Sequence, residues 1–166
     1  MKLDNRDLQI LAILQQEGRI TKAALAGRVS LSPAACWDRL KRLEQSGYIH
    51  AYRAEVALEK IAPVSHFLVQ VELESHQAAD FQRFEEAVAA IPQVIRCVAV
   101  GGGVDYFLEV VARDVGAYQA LIDDILERRI GVKRYFTFVV TKPVKDAPPP
   151  LALLRAEAAR QAAEEF

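Results

Sequence analysis

The spacing of the apolar residues changes once along this chain, and no other feature limits the possible folds as much. Up to Ile49 apolar residues recur at helical spacing; from His66 they mostly alternate, in runs separated by two further helical stripes. A chain that switches period this way builds a helical unit and then a mixed sheet-and-helix unit, an α+β organisation.

The first third reads as three short helices. Asp4 can cap the first, with Leu8, Leu11 and Leu14 on one face and Gly18 at its end. Thr21 can cap a second, "KAALAGRV", whose Leu25 and Val29 point one way. The turn "SLS" follows, with Leu31 placed to plug the space between helices. A third helix, Pro33 to Gln45, has a prepared start and stop: Ser32 as cap, Pro33 at the first helical position and Gly47 just past the end. Cys36, Leu40 and Leu43 form its inward stripe. Helix, short turn, capped helix is the helix-turn-helix arrangement, here expected to be winged-helix-like. The outward face of the third helix begins with two small residues, Ala34 and Ala35, and ends in Lys41 and Arg42. Small residues let a helix approach base edges, and basic ones meet phosphates. Asp38 repels phosphate but can accept from a cytosine amino group. Trp37 lies roughly a quarter-turn from the apolar stripe, as a packing residue or a base reader; the pattern leaves both open. A small packing domain with no DNA to bind would show the same periodicity.

Beyond Ile49, "HAYRAEVAL" alternates as a strand leaving the first domain, and residues 60–65 make a junction around Pro63. Then come the strand "FLVQVEL", a helical stripe of Phe81, Phe84, Val88 and Ile91, the strand "VIRCVAV", the turn "GGGV" and the strand "DYFLEVVA". A second stripe of Val115, Tyr118, Leu121, Ile122 and Ile125 precedes the last strand, "VKRYFTFVV". This β-α-β-β-α-β order is ferredoxin-like. Its helices cover one sheet face, on the side of Phe67, Val69, Val71 and Leu73. Leu68 and the aromatics near Phe136 leave apolar groups on the other, for which a homodimer is the simplest cover. The expected divisions are 1–50 for the helix-turn-helix domain, 51–64 for a connecting strand and linker, 65–145 for the ferredoxin-like domain and 146–166 for a tail. In the tail, "KDAPPP" is a stiff spacer and "LALLRAEAARQAAEEF" a run of strong helix formers, expected to support assembly beyond the dimer.

Charge and composition exclude several classes. Residues 1–50 hold eight Lys/Arg against five Asp/Glu and the remainder thirteen against seventeen, so a net charge of −1 hides a mildly basic first third. That asymmetry favours an anionic partner for the N-terminal part. The opening "MKLDNRDLQI" lacks the apolar run of a signal peptide, and no segment reaches the ~20 apolar residues that span a bilayer. Two cysteines make no disulfide framework, so a cytoplasmic protein is expected. His50, His66 and His76 lie in separate segments without metal-ligand spacing. No phosphate loop or nucleophile motif is present, and Cys97 sits in an apolar strand where a structural cysteine is the ordinary reading. No catalytic residue, cofactor or metal is expected.

Three stretches, "LDNRDLQILAILQQEGRIT", "LAGRVSLSPAACWDRLKRLEQSGYI" and "VGGGVDYFLEVVARD", together resemble the Lrp/AsnC family of feast/famine regulators. The resemblance runs from residue 2 to about 145. It implies a helix-turn-helix that binds double-stranded DNA and a ferredoxin-like sensor that dimerises and often builds tetramers or octamers. It also implies a small-molecule effector, an amino acid or derivative, held at interfaces between dimers. By position, Arg39, Lys41 and Arg42 are the family's basic residues on the recognition helix, joined there by Ser32, Ala34, Ala35, Trp37 and Asp38. The effector loop becomes Gly101, Gly102, Gly103, Asp105 and Tyr106, with Thr137 on the last strand. From the residues alone, the glycine triplet is most simply a hairpin turn with Asp105 bonding its amides. Three glycines also expose N–H groups to a carboxylate, with Asp105 available to an ammonium group, and the resemblance favours that reading. Gly101, Cys36 and Trp37 depart from the common family pattern. Within the family, "VGGGVDYFLEVV" and "RYFTFVVTKPVK" are similar to the DoeX-like branch, regulators of ectoine and hydroxyectoine breakdown. The alternatives are an architectural DNA-binding protein without a ligand and, further off, a small ferredoxin-like enzyme.

Overall fold

A computed structural model describes residues 3–151, 153 and 156. The chain divides into two compact units, one running to Glu55 and the other Val56–Val144.

In the first unit, α1 (Asn5–Gln16), α2 (Lys22–Arg28) and α3 (Pro33–Gln45) enclose Ile10, Leu25, Val29, Cys36, Leu40 and Leu43. Each helix starts on a side-chain cap. Asp4 and Asp7 form a reciprocal capping box, Thr21 Oγ1 accepts from Ala24 N–H at 3.2 Å, and Ser32 Oγ accepts from Ala35 N–H at 3.2 Å. Helix α3 ends in a Schellman motif. Gly47 takes φ +72°, its N–H reaches Glu44 O at 3.0 Å, and Tyr48 N–H reaches Leu43 O at 3.0 Å. Leu31 packs against the core from the turn before α3. The expected stripe on α1 is rotated. Leu8, Leu11 and Leu14 are only partly buried, while Asp7 and Ile10 are the buried positions. The cause is a polar anchor that apolar periodicity does not register: Asp7 turns inward to meet two arginines of α3. The strand expected over "HAYRAEVAL" is also absent. Residues 50–57 are exposed and form no ladder, and a 3₁₀ turn follows at Leu58–Lys60. A strand exists only through its partner. Among the described residues this segment has none, although Tyr52 O–H donates to Glu44 Oε1 at 2.8 Å.

The second unit is ferredoxin-like. Strands β1 (Ser65–Leu73), β2 (Val94–Ala99), β3 (Tyr106–Ala112) and β4 (Val132–Val139) form an antiparallel sheet in the order β2-β3-β1-β4. Helices α4 (Ala78–Ala89) and α5 (Val115–Glu127) cover one face. Phe67, Val69, Val71 and Leu73 of β1 meet Tyr106, Leu108 and Val110 of β3 there, beneath Phe84, Val88, Tyr118, Ile122 and Ile125. Val115, expected in the α5 stripe, is instead exposed, because it is the first residue of the helix, beside its cap Asp114. Cys97, expected inside the sheet, is exposed because β2 is an edge strand. The register Leu68↔Phe138 and Gln70↔Phe136 places both phenylalanines on the uncovered face, 51% and 49% exposed. The tail stretch to Pro150 is neither helix nor strand; the expected tail helix lies outside the described residues except Leu151, Leu153 and Ala156, which are helical.

Candidate nucleic-acid interface and effector site

Helix α3 presents Ala34, Ala35, Trp37, Asp38 and Lys41 to the surface, beside its cap Ser32, while Cys36, Leu40 and Leu43 hold it to the core. Outward Trp37 follows from the helical period once the 36–40–43 stripe is fixed. The residue is 39% exposed, and its ring carries Lys22 Nζ, from the first turn of α2, 3.1 Å from its centroid. Sequence reading had not singled out Lys22; an i,i+15 relation across a turn leaves no local signal.

The basic residues divide. Lys41 is exposed and enters no ion pair among the described residues. Arg39 and Arg42 are engaged inside the unit. Arg39 Nη1 donates to Asp7 Oδ1 at 2.9 Å and also to Asp4 Oδ2. Arg42 Nη2 donates to both Asp7 oxygens at 3.0 Å, and Asp4 N–H reaches Asp7 Oδ2 at 3.1 Å. The Asp7 side chain is wholly buried, so these donors compensate a charge that has lost its water. Asp4 is held down to about 2 by the Asp7 backbone N–H and then by Arg39. Without DNA, the heads of Arg39 and Arg42 tie α3 to the start of α1, while the Arg42 side chain stays 48% exposed.

In the second unit, Gly101–Val104 join β2 to β3 in a loop closed by Val100 N–H to Asp105 O at 2.9 Å. Gly102 has φ +141°, a conformation that favours glycine. Gly101 and Gly103 have ordinary φ values, and a Cβ at either would meet nothing within 4 Å. Local geometry thus demands one glycine of the three. Asp105, only 16% exposed in its side chain, accepts from Leu73 N–H at 2.8 Å and faces His76 Nε2 at 3.0 Å. It ties the start of β3 to the end of β1. Tyr106 is buried against Phe84, and its O–H donates to Glu85 Oε1 at 2.8 Å. Burial first, then that carboxylate, pushes the phenol well above its ordinary range. An open groove of about 450 Å³ runs from Asp105 and Tyr106 along α4, lined also by Phe81, Glu85 and Val100. Phe81 belonged to the helical stripe, but Glu85 gave no signal, since only the packing of α4 on β3 brings it to Tyr106. Thr137 is not brought to this groove. It lies on β4, the opposite edge of the sheet, hydrogen-bonded to the Tyr118 hydroxyl. Among the described residues no cluster of His, Cys, Asp and Glu could hold a metal, and no helix is long and apolar enough to cross a membrane.

A capped helix-turn-helix joined to a ferredoxin-like unit with an open groove defines a DNA-binding regulator with a ligand-binding domain. Comparison with known proteins agrees with this class. Residues 3–50 match the winged helix-turn-helix DNA-binding family, and residues 66–150 match the Lrp/AsnC ligand binding domain. The transcriptional regulatory protein DoeX of Halomonas elongata is 48% identical over 145 residues, 87% of this chain and 92% of its own. The leucine-responsive regulatory protein of Escherichia coli is 34% identical over 87% of this chain and 88% of its own. A crystal structure of a transcriptional regulator in complex with L-Met, from Neisseria meningitidis, superposes with a TM-score of 0.86 at 32% identity, covering 92% of this chain and 99% of that one. The chain belongs to the Lrp/AsnC family of transcriptional regulators.

Proposed function

We propose that this regulator binds an amino acid or amino-acid derivative at the β2–β3 glycine loop and the groove beside it, and that occupancy changes its assembly or its affinity for DNA. The observation that carries the reading is the unexplained glycine pair: Gly101 and Gly103 lack both the φ and the neighbours that would require glycine, at the end of a groove holding Asp105 and Tyr106. Bare N–H groups suit a carboxylate, and the acids Asp105 and Glu85 suit an ammonium group. The likeness of two stretches to the DoeX-like branch, given above, directs the search towards products of ectoine breakdown. Thr137 joins the site only if a second copy supplies it, which fits a homodimer or a larger homo-oligomer working in the cytoplasm. In the DNA complex α3 lies in the major groove, with Ser32, Ala34, Ala35, Trp37 and Asp38 towards the bases and Lys41 on a phosphate.

Thermal-shift measurements on the full chain, against the standard amino acids, ectoine and hydroxyectoine, test this reading. A true effector at about 100 times its Kd adds ~2.7 kcal/mol, a rise of several degrees for a chain of this length. The same compound should shift DNA affinity. No shift with any compound, while DNA binding stays intact, would favour the ligand-free architectural alternative.

A further inference from the structure

We infer that Trp37, pinned by Lys22, is a specificity-determining residue that reads a thymine methyl group in the major groove. This inference rests on the reading above that α3 enters that groove. The commonest specific contact in such complexes is an arginine forked onto guanine O6 and N7. Both arginines of α3 are engaged elsewhere: Arg39 on Asp4 and Asp7, Arg42 on the same buried Asp7. Withdrawing both would strand a carboxylate that has no access to water. Selectivity then falls to the outward residues of the first two turns, and Trp37 is the largest of them. Lys22 covers one face, with its charge 3.1 Å from the ring centroid, and fixes the side chain in one orientation. The residue as a whole stays 39% exposed. The one apolar group that bases present in the major groove is the C5-methyl of thymine. Asp38, next along the helix and exposed, repels phosphate and can accept from cytosine N4, which suits a stretch that faces base edges and not the backbone.

The test isolates one methyl group. Duplexes selected from a random library by the full-length protein are resynthesised with deoxyuridine in place of each thymine in turn, which deletes the methyl and nothing else. At one position per half-site the wild type should bind the thymine duplex about fourfold more tightly than the uracil duplex, the worth of one buried methyl group. In Trp37→Ala that ratio falls to one. In Trp37→Phe it stays above one, and in Lys22→Met, where the ring is no longer pinned, it lies between. Because the readout is a ratio for one folded protein, a loss of stability in any variant does not imitate it. A wild type that binds with no thymine-to-uracil ratio anywhere, or a ratio that survives in Trp37→Ala, overturns this inference alone. A wild type that binds no duplex at low salt overturns the placement of α3 as well.

Discussion

Asp7 is the residue on which the helical unit turns. Its carboxylate is buried, and its compensation comes from Arg39, Arg42 and the Asp4 N–H. Removal of the two cations should therefore cost more than removal of the anion, since the guanidiniums retain access to water and the carboxylate does not. Arg39→Met with Arg42→Met is expected to destabilise the unit by about 3–5 kcal/mol, and adding Asp7→Leu should recover part of that loss. Urea melts of the three proteins measure it; a triple variant no more stable than the double would refute the buried-charge account. Asp4 supplies a pH signature. Its folded pKa, about 2, lies below the ordinary 3.8, so the folded state favours the ionised form. Its contribution is present above about pH 4 and fades as pH falls towards 2. Asn also caps helices, so the stability difference between wild type and Asp4→Asn should be fully open above pH 4 and close towards pH 2. A difference that stays constant over that range would show that Asp4 acts only as a cap.

At the scale of elements, the hairpin between β2 and β3 holds both a structural tie and the proposed effector loop. Asp105 accepts the N–H of Leu73, a residue buried at the end of β1. Asp105→Ala leaves that N–H without a partner and should cost about 1–3 kcal/mol, whatever the ligand does. Asp105→Asn keeps an acceptor oxygen and removes the charge. It should retain most of the stability while losing the effector response, read as thermal shift and DNA affinity with and without the active compound. Full response in a stable Asp105→Asn protein would confine Asp105 to the tie. The glycines were legible as a loop, but which of them the backbone needs became clear only from φ and from the space around each.

At the scale of the whole molecule, the uncovered sheet face is the surface we propose for self-association. Leu68, Val98, Phe136 and Phe138 are exposed on it, flanked by Glu72 paired with Lys133 and Arg134. A contiguous apolar face of this kind on a DNA-binding chain suits a symmetric dimer, which would also set two α3 helices against two half-sites. Phe136→Lys with Phe138→Glu is expected to halve the mass seen by light scattering and to weaken DNA binding, leaving the melting of the helical unit unchanged. An unaltered mass would place the self-association surface elsewhere.

The helices, the four sheet strands, the caps and most of the core stripes were legible in the residues alone, the stripe of α1 excepted. Period 3.6 and period 2, cap residues at Asp4, Thr21 and Ser32, and a glycine at 47 are local facts, written within a few neighbouring residues. On those grounds the helix-turn-helix and the β-α-β-β-α-β unit were both readable. Contacts between groups far apart in the chain emerged with the packing of the elements. Nothing beside Asp7 in the chain marks it for burial; α3 brings Arg39 and Arg42 to it from more than thirty positions away. Glu85 meets Tyr106 only through the packing of α4 on β3, and Lys22 meets a ring on the next helix. "HAYRAEVAL" had the alternation of a strand but no ladder partner among the described residues. Alternation reports which faces a segment offers; pairing needs a second backbone within hydrogen-bonding distance, and that is a property of the folded chain or of its assembly.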